Sequence, residues 1–82
     1  MRLDKFLKVS RVIKRRTVAN EACDSGRVVI NGRVAKASTD VKVGDIVEIK
    51  YGEKIIKFKI KEVKEIALKD DAGKMVEILE EN

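Results

Sequence analysis

The sequence predicts an α+β fold: two short N-terminal helices packed on a small, mainly antiparallel sheet, with a short C-terminal helix. Three observations carry this. Apolar residues recur at helical spacing up to Gly26 and then switch to a period of two. An Asn-Gly pair, Asn31-Gly32, sits between two apolar runs, a strong hairpin signal because both turn positions need positive φ. The 82 residues leave room for one small domain, with a core near the lower limit of self-sufficiency.

Leu3, Phe6, Leu7 and Ser10 repeat at helical spacing, so residues 2–9 should form a first helix with Leu3, Phe6 and Leu7 inward. Arg2, Lys5 and Lys8 fall on a different stripe and can point toward a common surface. Asp4, near the helix start, suits the helix dipole, which alone could explain it. Ser10 to Ile13 reads as a tight joint, with Val12 and Ile13 plugging the core and Arg11 able to reach the same surface as Arg15 and Arg16. From Lys14 a second helix is expected, its apolar stripe Val18, Ala19, Ala22 and Cys23 facing the core. Gly26 ends it at a left-handed position.

Val28–Ile30 and Arg33–Ala35 flank the Asn31-Gly32 turn. Residues 36–43 read as an extended connection and Val43-Gly44-Asp45 as a turn. Residues 46–50 form a strand in which Ile46 is out of phase with Val47 and Ile49. After a turn at 51–54, Ile56, Phe58 and Ile60 alternate with Lys57, Lys59 and Lys61. Val63 breaks the phase, suggesting a bulge or bend near Glu62, and Ile66 and Leu68 extend the edge. Asp70-Asp71 reads as a helix start, and Met75, Ile78 and Leu79 at i, i+3, i+4 predict the C-terminal helix. The lysine strand is read as a solvated face that resists edge pairing rather than as a second binding surface.

The charge is uneven. Residues 1–36 hold ten Lys/Arg against three Asp/Glu, a net +7, while residues 37–82 hold nine Lys against eleven acids, a net −2. All six arginines lie in the first part, and arginine is suited to bidentate phosphate contact. Lys14, Arg15 and Arg16 crowd the expected start of the second helix, where the dipole opposes them by about 0.3–1 kcal/mol each. A helix start also offers free N–H groups to anions. These features point to a nucleic-acid face built from the first 36 residues. Its candidate residues are Arg2, Lys5, Lys8, Arg11, Lys14, Arg15, Arg16, Arg27, Arg33 and Lys36.

There is no histidine and one cysteine, Cys23. That excludes disulfides and multi-Cys/His zinc sites within one chain, and Ser-His-Asp or Cys-His catalysis. No enzyme activity, cofactor or metal is expected. No apolar run approaches the ~20 residues that span a bilayer, and the first residues carry no signal-peptide core, which points to the cytoplasm. Aromatics are too few for base-stacking platforms.

Arg2-Leu3-Asp4, Arg16 with Ala19, Gly26-Arg-Val-Val-Ile-Asn-Gly32 and Val43-Gly44-Asp45 together resemble the S-four, or alpha-L motif, RNA-binding domain over about residues 1–50. The resemblance implies two helices on a small curved sheet, with the helix face gripping folded RNA through Arg2, Lys5, Arg11, Lys14, Arg15 and Arg16. Asn31-Gly32 would shape the hairpin. Lys14-Arg15 depart from the pattern, standing where the family usually carries a Ser or Thr cap. On this view residues 1–82 are one domain, with the RNA-binding core at about 1–50 and a sheet extension and C-terminal helix at about 51–82.

The length and the opening residues 1–17 are similar to the bacterial RqcP/YabO-type ribosome-associated quality-control family and its heat-shock relatives. That likeness implies a non-enzymatic, monomeric clamp. It would contact large-subunit rRNA and tRNA, and stabilise peptidyl-tRNA on stalled, split subunits while a partner factor adds alanine tails. Other readings stay open: a duplex-DNA regulator using the second helix, a general ribosome-binding assembly factor, or an adaptor docking through Glu77, Glu80 and Glu81. The hairpin directly after Gly26 favours the RNA module over the DNA regulator.

Overall fold

The computed structural model describes residues 1–66 and 69–82. Helix α1 spans Leu3–Val9 and α2 spans Arg16–Asp24. Five strands follow: β1 (Val28–Ile30), β2 (Arg33–Val34), β3 (Ile46–Tyr51), β4 (Lys54–Ile60) and β5 (Val76–Glu81). They form one antiparallel sheet in the order β2-β1-β3-β4-β5. A single helical turn, α3, covers Lys69–Ala72. The α+β class and the two helices on an antiparallel sheet are as the sequence predicts. No helix among the described residues is long and apolar enough to cross a membrane.

Both helices bury apolar residues against the sheet. Leu3, Phe6 and Leu7 of α1 are fully buried, as are Ala19 and Cys23 of α2, and they share one core with Val28, Val47, Ile49, Phe58 and Ile60. Phe6 stacks on Phe58, with centroids 6.4 Å apart and planes at 18°, so α1 is keyed to the middle of β4. Asn31 and Gly32 both take positive φ, as the hairpin requires. The Asn31 side chain also binds the next turn: its Nδ2 donates to Asp45 at 3.1 Å and its Oδ1 accepts from the Ile46 N–H at 2.9 Å.

The segment read as a plain extended connection has a structural role. Helix α1 has no side-chain cap; instead, the Leu3 and Asp4 N–H groups donate to the Thr39 and Ala37 carbonyls at 2.8 and 3.2 Å. The Asp24 carboxylate, at the end of α2, accepts from the Ala37 N–H at 3.1 Å. One strap therefore satisfies the start of α1 and ties down the end of α2. Helix α2 closes in a Schellman motif, with Gly26 at φ 82° and the Arg27 and Gly26 N–H groups donating to Ala22 and Cys23.

Five local expectations are corrected. Helix α2 begins at Arg16, not Lys14; Arg15 is its extended N-cap. Ile13 is buried and its N–H donates to Leu7, so Lys14 and Arg15 carry the chain round to the second axis. Val18 is 44% exposed, so Ala19, Ala22 and Cys23 alone make the inward stripe.

The phase break lies between Lys57 and Phe58 rather than near Glu62, because β4 ends at Ile60 and the β4–β5 register skips Leu79. Finally, Val76–Glu81 is an edge strand, not a helix. The helix start read at Asp70-Asp71 belongs to α3, which ends before Met75. Met75 lies just before the strand, and Ile78 and the skipped Leu79 lie at its bulge, so their i, i+3, i+4 spacing marks no helix. Ile66 lies outside any strand, and Leu68 lies outside the described residues.

Candidate nucleic-acid interface

The two helices meet over one carboxylate. Asp4, second residue of α1, is 2% exposed. Its Oδ1 accepts from the Lys5 N–H at 2.8 Å and from Arg2 Nε at 3.2 Å; its Oδ2 accepts from Arg2 Nη2 and Asn20 Nδ2, both at 3.3 Å. Arg16 Nε lies 3.5 Å from Oδ2. Arg16 and Asn20 are one turn apart on α2, so both face α1. Burial alone would raise the Asp4 pKa, but the bonds from Asn20, Arg2 and the Lys5 amide, with the charge of Arg16, outweigh it and hold the carboxyl below its ordinary 3.8. The side chains of Arg2 and Arg16 remain half exposed, at 52% and 50%. Two guanidinium groups therefore stand together at the surface on a shared buried base.

Sequence reasoning passed over Asp4 as a residue that merely suits the helix dipole. The signal was present in Arg2-Leu3-Asp4, but its partners Arg16 and Asn20 become neighbours only when the helices pack.

A second set of cations surrounds an open groove of about 560 Å³ at the end of α1, lined by Lys8, Val9, Arg11, Lys14, Glu65 and Ile66. Among the described residues, no carboxylate lies within ion-pair distance of Lys8, Arg11 or Lys14. Arg11 takes φ 62° just after the helix cap, where glycine is the usual residue. Ile66, on the groove wall, is 83% exposed. Lys5 is paired with Glu65.

The remaining candidates are dispersed. Arg15 is exposed at the α2 start, where no acid or side-chain cap covers the first N–H groups. Arg27 lies past the opposite end of that helix, about 13 Å along the axis. Arg33 on edge strand β2 and Lys36 after it are exposed. Among the described residues, no ion pair or side-chain hydrogen bond joins Arg27, Arg33 or Lys36 to the Asp4 cluster.

The lysine strand is balanced from within: across the β4–β5 pair Lys57 faces Glu80 and Lys59 faces Glu77, and Lys61 Nζ lies 3.8 Å from Glu77. Phe6 and Phe58 are in the core and Tyr51 is half-buried, so none offers a stacking platform.

The S4 domain family model matches residues 1–47, which include all ten candidate cations. This chain belongs to the S4 domain family. It is 57% identical to the RQC P-site tRNA stabilizing factor of Streptococcus pneumoniae, over 99% of this chain and 92% of that protein. It is 53% identical to the protein of the same name from Bacillus subtilis, over 99% and 94%. The chain therefore also belongs to this family of factors. The S4 fold it adopts is similar to the trimeric structure of Vibrio cholerae heat shock protein 15, with a TM-score of 0.86 at 26% identity, covering 95% of this chain and 80% of that one.

Proposed function

We propose that this chain is a non-enzymatic RNA-binding protein of the large ribosomal subunit. It contacts rRNA and tRNA there and stabilises peptidyl-tRNA on stalled, split subunits during ribosome-associated quality control. The observation that carries this reading is the Arg2–Arg16 pair, two half-exposed guanidiniums gathered at one helix–helix seam. The family names of the S. pneumoniae and B. subtilis relatives support the P-site tRNA as partner.

Recognition is by shape and phosphate. Guanidiniums suit bidentate phosphate contact, and a folded RNA is read largely through its backbone where stacking aromatics are lacking. Binding then weakens with salt by about 0.7–0.9 log units per log unit of salt for each phosphate neutralised. Residues of about 1–50 form the binding core, with Lys5, Lys8, Arg11, Lys14 and Arg15 adding to the Arg2–Arg16 pair. Arg27, Arg33 and Lys36 supply outlying charge. The protein acts in the cytoplasm as a monomer, alongside a factor that extends the nascent chain with alanine.

The test is co-sedimentation with purified large subunits. Arg16→Ala should abolish it while circular dichroism stays native. Full retention of binding by a folded Arg15→Ala/Arg16→Ala protein overturns the site. A gel shift that favours duplex DNA over structured RNA at physiological salt overturns the choice of partner.

A further inference from the structure

We propose that Asp4 is a positioning residue for RNA: its buried carboxylate holds Arg2 as a brace and sets Arg16 as the phosphate clamp. This rests on the RNA reading above and assigns different tasks to the two arginines.

The first observation is saturation. A carboxylate offers about four lone-pair sites, and four hydrogen bonds from Lys5, Arg2 and Asn20 reach Asp4. Such an acid is screened from solvent and fixed in place. The second is the unequal use of the two guanidiniums. Arg2 lays its Nε–Nη2 edge along both oxygens of Asp4, so two hydrogen bonds fix its guanidinium and use its side-on fork. Arg16 touches Asp4 through Nε, and no hydrogen bond among the described residues engages either of its Nη atoms. Its two-pronged end is therefore available, on a side chain 50% exposed.

The third is the sign of the charge. A negative group beside a phosphate-binding cation weakens the local field. A site built for attraction alone would omit it. Its presence under the pair is explained if ordering the arginines before RNA arrives outweighs the lost attraction.

The experiment uses the full chain and purified large ribosomal subunits as the probe, with affinity measured over a salt series. The proteins are wild type, Asp4→Asn, Asp4→Glu, Arg16→Ala and the double variant Asp4→Asn/Arg16→Ala. Asp4→Asn should weaken binding about tenfold, the ordering cost of one or two long side chains, although it removes a negative charge. Its salt slope should fall by about 0.7–0.9, one phosphate contact. Asp4→Glu, which keeps the charge but moves the carboxylate by a methylene, should not restore wild-type affinity. At the low-salt end of the series, where residual Arg16→Ala binding can be measured, the double variant should bind no worse than Arg16→Ala.

Unchanged or tighter binding by a folded Asp4→Asn protein overturns the proposal, as do losses that simply add in the double variant. If Asp4→Asn does not fold, Asn20→Ala decides: it removes one donor to the carboxylate at a partly exposed site, so weaker binding supports positioning and unchanged binding overturns it. Arg16→Ala binding as well as wild type would instead refute the RNA site itself. Loss in Arg16→Ala with none in Asp4→Asn would refute positioning alone.

Discussion

Lys5 and Glu65, sixty residues apart in the chain, form an ion pair at the surface of α1. Lys5 is also the residue whose N–H binds Asp4, so it touches both the arginine cluster and the wall of the Lys8–Arg11–Lys14 groove. Glu65 is the acid within that basic region, and its pKa is lowered by the Lys5 hydrogen bond and charge. Glu65→Gln should release Lys5 and tighten binding to large subunits by about two- to fivefold, the scale of one exposed ion pair. The gain should vanish at high salt, with the melting temperature unchanged. Equal affinities at low salt would show that Lys5 does not face RNA.

Arg11 has a left-handed backbone at a position that favours glycine. For an L-residue this costs about 1–2 kcal/mol, while glycine costs about 0.5–1 kcal/mol in added unfolded-chain freedom. Arg11→Gly should therefore stabilise the fold by about 0.5–1 kcal/mol in denaturant titrations while weakening subunit binding. A variant that is both more stable and equally tight in binding would remove Arg11 from the interface.

Asp4 also sets an acid limit. Its folded pKa lies below the ordinary 3.8, so its contribution to stability is complete above that value and lost as pH falls through the folded pKa. Stability from this group is flat near neutrality and declines below about pH 4. Asp4→Asn should be less stable at pH 7 and show a shallower acid limb, since only groups such as Asp40 and Glu65 remain to titrate there. Urea unfolding from pH 7 downward checks this; parallel acid limbs would contradict it.

Cys23 should be chemically silent in the native state. Burial, followed by the charges of Asp4 and Asp24, pushes its thiol up to about 11. At pH 8 the thiolate is scarce and the sulfur inaccessible. Mass spectrometry after iodoacetamide treatment should find it unmodified in buffer and fully alkylated in denaturant. Rapid native labelling would mean that α2 opens readily.

The first part of the chain was legible because its signals are local. The hairpin needed only Asn31-Gly32, and the helix stop only Gly26, each fixed by backbone conformation. The cation-bearing elements could likewise be placed from spacing. What the sequence hid depends on packing. Lys14 and Arg15 carry charge that suits a site, but their backbone is set by Ile13 being drawn into the core. Asp4 looks like a dipole residue until Asn20 and Arg16 arrive from the other helix. The C-terminal strand was missed because Ile78 and the skipped Leu79, at its bulge, fall at helix-like spacing from Met75 just before it. Its pairing partners Lys57 and Lys59 lie some twenty residues earlier in the chain.

The balanced lysine strand has a consequence for the whole molecule. Because Glu77 and Glu80 answer the cations of β4, the sheet exerts little pull on a distant polyanion, while the helical side keeps its surplus of arginine. The protein thus carries an electric moment directed from strands to helices. In the field of an RNA surface that moment produces a torque, and the chain rotates helices-first before any contact is made.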